Sequence, residues 1–267
     1  MSPSAPRRRW RGQVDLEEML RNMPGGMEFA TRDFALVTLA AELSVSFPGQ
    51  LVFKGGFVLR HVHGHLRFSK DVDATRHRPS GHKLDAVAVA AAISAASIPN
   101  VVRFVPGDPA TDSARSLDFD RVRVTSELFG TADVQVEVSY REGVVGVPAM
   151  SEIGGPFYEP FEILTMEAEE MAAEKLRTLA QRRRSTDLAD LAVLLRNGAA
   201  DNLIAQYSKA KFSIVKQGRV NRIERIELTI AELADTYDDL IPLVFPTAPS
   251  YSEAVAIVIP RIRLLVP

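Results

Sequence analysis

At 267 residues with 46% hydrophobic side chains, the chain has material for one large buried core or two small ones. Charged residues make up 25% and the formal net charge is -2, which excludes a globally basic nucleic-acid wrapper and makes any basic surface local. With 0 cysteines, disulfides, cysteine zinc sites and thiol nucleophiles are excluded together, and a reducing, cytoplasmic setting fits.

The chain opens on "MSPSAPRRRWRGQVDLEEML", basic like a signal peptide but with Asp15, Glu17 and Glu18 where an apolar stretch should follow. Residues 1–27 therefore read as a basic arm. Phe34, Leu36, Leu39 and Leu43 then recur at near-helical spacing, predicting an amphipathic helix from Glu28 to about Ser46. "GQLVF" reads as a short buried strand broken by Gly55 and Gly56, Val58 to His63 as a helical turn or more, and "KDVDAT" as a second strand. "HKLDAVAVAAAISAAS" predicts a helix stopped near Pro99, and "VVRFV" another strand. Its uncharged run from Ala86 to Val102 is too short and too weakly apolar to span a bilayer.

"SLDFDRVRVTSEL" and "ADVQVEVSY" alternate with period two on either side of Phe129-Gly130-Thr131, predicting an antiparallel hairpin. Glycine and proline cluster in "EGVVGVPAMSEIGGPFYEP", which reads as a linker or long connection. Beyond it the pattern is helical: two helices meeting near Arg184 to Thr186, then "ELTIAELADTYDDLIPLV" and "YSEAVAIVIPRIRLL", ended or kinked around Pro242 and Pro260. The expected layout is α+β, with a mixed-sheet core over residues 28–150 and a helical domain over 151–267.

Glycine after a strand lets backbone amides approach a ligand closely, and a helix starting there turns its positive end to an anion such as a triphosphate. Asp71 and Asp73 share one strand face while Val72 points the other way. Two carboxylates facing phosphates are the donor set of Mg2+ or Mn2+. Asp133, Gln135 and Glu137 share a face of a nearby strand, with Glu137 the preferred third ligand. Each feature has a plainer reading: Gly55-Gly56 as a turn, the aspartates as a solvated strand face, Ser69 as an ordinary turn serine rather than a holder of the Asp71 loop. His61 and His65 stand at i, i+4, but Gly64 interrupts that turn and no glutamate follows His61, so these two and His63, His77 and His82 read as surface or acceptor-binding residues.

Taken whole, "FKGGFVLRHVHGHLRFSKDVDAT" resembles the signature of the AbiEii/AbiGii-type toxin nucleotidyltransferases, a DNA polymerase beta-like group tied to abortive phage infection. Lys54-Gly55-Gly56 and Arg67-Phe68-Ser69-Lys70-Asp71-Val72-Asp73 follow the family order. Glu174, Lys175, Asp187 and Asp190 fall in the places of a second motif, and "VQVEVSYRE" is similar to the third-carboxylate strand. Phe57 stands where the family commonly has a small hydroxyl residue, and Thr186 where an arginine usually precedes the aspartate.

The resemblance implies a polymerase beta-like nucleotidyltransferase core followed by a helical domain. It also implies Mg2+ or Mn2+ as cofactor, held by Asp71, Asp73 and Glu137. Lys54, Gly55, Gly56, Arg60, Ser69 and Lys175 would bind a nucleoside triphosphate, with Lys175 neutralising its charge and Asp187 orienting Lys175 or the nucleotide. The implied activity is nucleotide transfer from that triphosphate to a cellular acceptor, the 3′ end of tRNA first among them, with a cognate antitoxin as a partner and no membrane. Arg67, Arg76, Arg78, Arg182, Arg183 and Arg184 are the candidate RNA contacts. A small-molecule or protein hydroxyl as acceptor, and an inactive nucleotide- or partner-binding module, are the alternatives.

Overall fold

The computed structural model describes residues 26–77, 83–126, 130–155, 158–214 and 221–267. Residues 1–25 of the expected basic arm, Arg78 and His82 lie outside the described residues. The chain divides into two compact units, the first taking residues up to Gly64, Phe68–Gly143 and Ala149–Thr165, and the second taking His65–Arg67, Val144–Pro148 and Met166–Pro267.

The first unit is built on one mixed sheet. Helix α1 (Gly26–Ser46) carries the predicted apolar stripe, with Phe34, Leu36, Leu39 and Leu43 no more than 2% exposed. It leads to β1 (Leu51–Lys54), buried throughout, then the short helix α2 (Gly55–His61) and strand β2 (Asp71–Arg76). Helix α3 (Ala86–Ala95) starts at Asp85, whose side chain accepts a hydrogen bond from the Val87 amide as an N-cap should. Strands β3 (Arg103–Pro106), β4 (Thr111–Asp112), β5 (Ser116–Ser126) and β6 (Gly130–Ser139) follow, with β5 and β6 paired as the predicted hairpin.

The stretch expected to be a linker instead forms β7 (Ala149–Gly155) and β8 (Tyr158–Thr165), an antiparallel pair joined to the same sheet. Ile153 and Ile163 are buried, and that alternation outweighs the glycines and Pro160. Proline is tolerated there because β1 pairs with β8 through Phe53 and Thr165, near the other end of β8 from Pro160, so no β1 ladder bond is lost at the proline. The sheet order is β3-β5-β6-β2-β1-β8-β7, with β4 added on β5. Pairs β2/β6 and β1/β8 run parallel and the remaining pairs antiparallel. Val72, Ala74, Val136 and Val138 are buried together with the inner stripe of α1, while the alternate positions of β2 and β6 face away from that core.

The second unit is helical among its described residues: α4 (Ala168–Leu179), α5 (Ser185–Arg196), α6 (Asp201–Ser213), α7 (Arg222–Ala231), α8 (Ala234–Val244) and α9 (Tyr251–Leu265). A capping box at Ser250 and Glu253 starts α9. Pro260 does not end that helix, which continues to Leu265. An internal proline costs about 3 kcal/mol. Burying Val258, Ile262 and Leu265 on the same face offsets that at roughly 1.5–3 kcal/mol per side chain.

Candidate active site

In the first unit, β1 ends at Lys54 and the chain turns at Gly55, whose φ of +72° belongs to the left-handed region. A Cβ at Gly55 would stand 2.5 Å from Asp73 Oδ2, so the absence of a side chain is what lets the turn lie against the second carboxylate. Asp73 is also the cross-strand partner of Lys54 on β1 and of Glu137 on β6, and Asp71 is the partner of Gln135. Ser69 donates a hydrogen bond of 2.5 Å to Asp71 Oδ1, so the serine does hold that carboxylate. Phe57 turns into the core, 1% exposed against Phe53 and His61, so the position after Gly-Gly contributes packing here.

The row extends further than the sequence showed. Glu137 is paired in register with Asp118 on β5, and Asp118 with Thr111 on β4. Asp118 Oδ2 accepts a hydrogen bond of 2.8 Å from Ser116. Protein atoms crowding the Glu137 carboxyl raise it above its usual range even though part of its surface is open; Lys54 opposes the rise, and Asp118, Glu142 and Asp71 add to it. Glu142, another residue the sequence did not single out, pairs with Lys54 at 3.1 Å, both side chains being 10% exposed. Asp133, the alternative third carboxylate, is engaged by Arg121 and Arg123 at 3.2 and 3.0 Å.

Oxygen donors on one strand face, beside a half-buried glycine turn, are the donor type of a hard divalent cation that takes its remaining ligands from phosphate. Among the described residues no three acidic or histidine side chains are grouped closely enough to hold a metal by themselves. An ion bound on this face would have to complete its coordination with substrate oxygens.

In the second unit, Lys175 is not a solvated helix lysine. Its ammonium lies 3.0 Å from Asp187 and 2.8 Å from Asp190, and both aspartates are almost completely buried. Arg182 pairs with Asp187 at 2.8 Å and Arg67 with Asp190 at 3.0 Å, giving a continuous network of three cations and two carboxylates. Burial works against the Lys175 charge, yet Asp190 and Asp187 hold its pKa well above the ordinary lysine range. For Asp187, burial is outweighed by Lys175 and Arg182, which hold the carboxyl well below the usual range. A second buried network joins Lys211 to Glu170 and Glu174 at 2.5 and 2.9 Å, and Glu170 also accepts the amides of Val145 and Gly146.

The structure thus brings together Lys54, Gly55, Ser69, Asp71, Asp73 and Glu137 in the first unit, and Arg67, Lys175, Arg182 and Asp187 in the second. Arg60 stands apart, its guanidinium on Asp33 and over the Phe68 ring. Arg76 bonds Gln50, and Arg183 pairs with Glu232. Of the histidines, His61 contacts Asp33, His65 contacts Asn197 and His77 contacts the Gly49 carbonyl, each in a separate place.

This arrangement, a mixed sheet bearing paired aspartates beside a Gly-Gly turn and followed by helices, is the α+β fold of nucleotidyltransferases. Two solved structures share it: MenT4, a nucleotidyltransferase toxin of Mycobacterium tuberculosis (20% identity, TM-score 0.72, covering 95% of this chain and 90% of that one), and JHP933 of Helicobacter pylori (17% identity, TM-score 0.57, covering 89% and 91%). The family described as "Nucleotidyl transferase AbiEii toxin, Type IV TA system" matches residues 38–257, and the chain belongs to it. It is accordingly a nucleotidyltransferase toxin of a type IV toxin–antitoxin system, a family whose activity implies a nucleoside triphosphate substrate. No curated protein sequence matches the chain significantly. Among the described residues no helix is long and apolar enough to cross a membrane.

Proposed function

We propose that this toxin transfers a nucleotide from a nucleoside triphosphate to the 3′ end of tRNA. The observation that carries the catalytic half is the face of β2, where Asp71 and Asp73 lie beside the Gly55 turn with the Asp73 carboxylate against its backbone. The acceptor 3′-hydroxyl gives up its proton to solvent as its oxygen forms a bond to the α-phosphorus, the bond from that phosphorus to the bridging oxygen breaks, and pyrophosphate leaves with the electron pair.

Asp71 and Asp73 would hold Mg2+ or Mn2+, with Glu137 as a third oxygen donor, and such an ion would offset charge on the reacting phosphate. Ser69 fixes the rotamer of Asp71, and the bare Gly55 turn lets the Asp73 carboxylate lie against the backbone where the triphosphate is proposed to dock. Lys175 supplies positive charge for the triphosphate, and Asp187 orients Lys175, a role supported by their 3.0 Å ion pair. Arg182, Arg183, Arg184 and Arg76 are the RNA contacts. Arg67 is 12% exposed and spends its charge on Asp190, so it serves RNA only through that network.

The test is incubation with each labelled triphosphate and total cell RNA. Label at RNA 3′ ends, concentrated in the tRNA fraction, is the expected result. Label on protein or small molecules, with none on RNA, overturns the acceptor while retaining the transferase.

A further inference from the structure

The acid row contains an ammonium that the reaction as proposed leaves without a defined task. Lys54 is buried at the end of β1, is the register partner of Asp73, and bonds Glu142 Oε2 at 3.1 Å. A buried ammonium needs carboxylate partners, and a lysine on its flexible stem can be shared among several. Here the candidates are of two kinds: Asp73 and Glu137, which the proposed reaction uses, and Glu142, which it does not.

Glu142 is placed by backbone. The two residues before it, Tyr140 and Arg141, both donate their amides to the Arg115 carbonyl, at 2.7 and 3.0 Å, which folds the chain back directly after β6. Its carboxylate is therefore delivered to Lys54 by the sheet rather than by a loose side chain.

We propose that Lys54 is the resident counter-ion of the acid row, and that Glu142 is a positioning residue which, by holding the Lys54 ammonium, sets how strongly that ammonium competes with a divalent cation for Asp73. This rests on the metal-dependent reading of the Asp71–Asp73 face. Its consequence is a pair of opposite effects. Without Lys54, the carboxylates lose their internal cation and bind a divalent ion more tightly. Without the Glu142 charge, the ammonium turns fully to Asp73 and the ion binds more weakly.

The experiment measures Mn2+ affinity of the full chain by the electron paramagnetic resonance signal of free Mn2+, with thermal melts to verify folding. Lys54→Met should tighten Mn2+ binding and Glu142→Gln should weaken it, each on the order of tenfold. Glu142→Asp, which keeps the charge, should recover part of the loss. In the double variant, Glu142→Gln should add nothing to Lys54→Met, because its effect passes through the lysine. If Glu142→Gln weakens binding equally in both backgrounds, Glu142 is a plain charge and the proposal fails. Should Lys54→Met not fold, wild-type affinity in Glu142→Gln is enough to overturn it. Wild-type protein that takes up no Mn2+, with or without triphosphate, removes the metal reading itself; wild-type binding with unaltered variants removes only the counter-ion role.

Discussion

The two units treat charge in opposite ways. On the sheet of the first, Asp118, Glu137 and Asp73 stand in register on successive strands up to Lys54, Asp71 shares the β2 face and Glu142 pairs with Lys54, an excess of negative charge on a partly open face. In the second, Asp187 and Asp190 are buried and met by Lys175, Arg67 and Arg182, and Lys211 is enclosed by Glu170 and Glu174. An acid excess open to solvent is tolerated at modest cost and left ready for a cation from outside. A buried network must be matched from within, because an unpaired buried charge is expensive. The first arrangement leaves charge for a cation from outside, and the second balances its buried carboxylates within the protein.

The largest expected effects break the acid face. Asp71→Asn and Asp73→Asn should each reduce nucleotide transfer by at least about a hundredfold, while melting at or slightly above the wild-type temperature because like-charge repulsion is relieved. Near wild-type turnover in either variant would remove the catalytic assignment. The converse holds for the buried network. Asp190→Asn and Lys211→Met should each cost roughly 3–5 kcal/mol in urea denaturation, since each strands buried partners, and a loss below ~1 kcal/mol would show those networks to be water-accessible.

Gly55→Ala tests both sides at once. The left-handed φ costs about 1–2 kcal/mol, and the added methyl would meet Asp73 Oδ2, so turnover should fall more than stability. Acid titration separates the units more gently. The folded pKa of Asp187 lies below its unfolded value near 3.9; its stabilisation is complete at neutral pH and is lost as pH falls through the depressed folded pKa. Replacing Asp187 by Asn should therefore flatten the acid limb of a stability–pH curve. Glu137→Gln is the smallest change, a loss of activity well short of that at the aspartates, and equal activity with wild type would remove it as a ligand.

What could be read from the sequence was set by whether a signal was local. Gly55-Gly56 and the Asp71/Asp73 alternation lie within one passage of strand, turn, short helix and strand, so their shared placement was legible without the fold. Asp118 was not, because its place opposite Glu137 depends on a bulge between Phe119 and Val122. The trace was present: the buried residues of β5 change parity from Leu117 and Phe119 to Val122 and Val124. Glu142 depends on a fold-back to Arg115 that no periodicity announces. The β7–β8 hairpin was hidden because glycine and proline dominate its sequence, although the alternation around Ile153 and Ile163 survives among them. Lys175 and Asp187 could be paired only through the family resemblance, since no local periodicity shows that Lys175 meets carboxylates of the following helix.

The β5 bulge also makes a statement about which lengths of this strand evolution can accept. It absorbs one surplus residue, with Asp120 and Arg121 together standing opposite Gln135. Deleting either would leave a regular ladder with Phe119 still in the core and Asp118 still beside Glu137. Deleting Val124 instead would shift the pleat of the hairpin on one side of the cut and exchange its inner and outer faces. Relatives of this toxin should therefore vary in length at residues 120–121 far more readily than anywhere else in β5, and a deletion scan scored by melting temperature would locate the one tolerant joint in the strand.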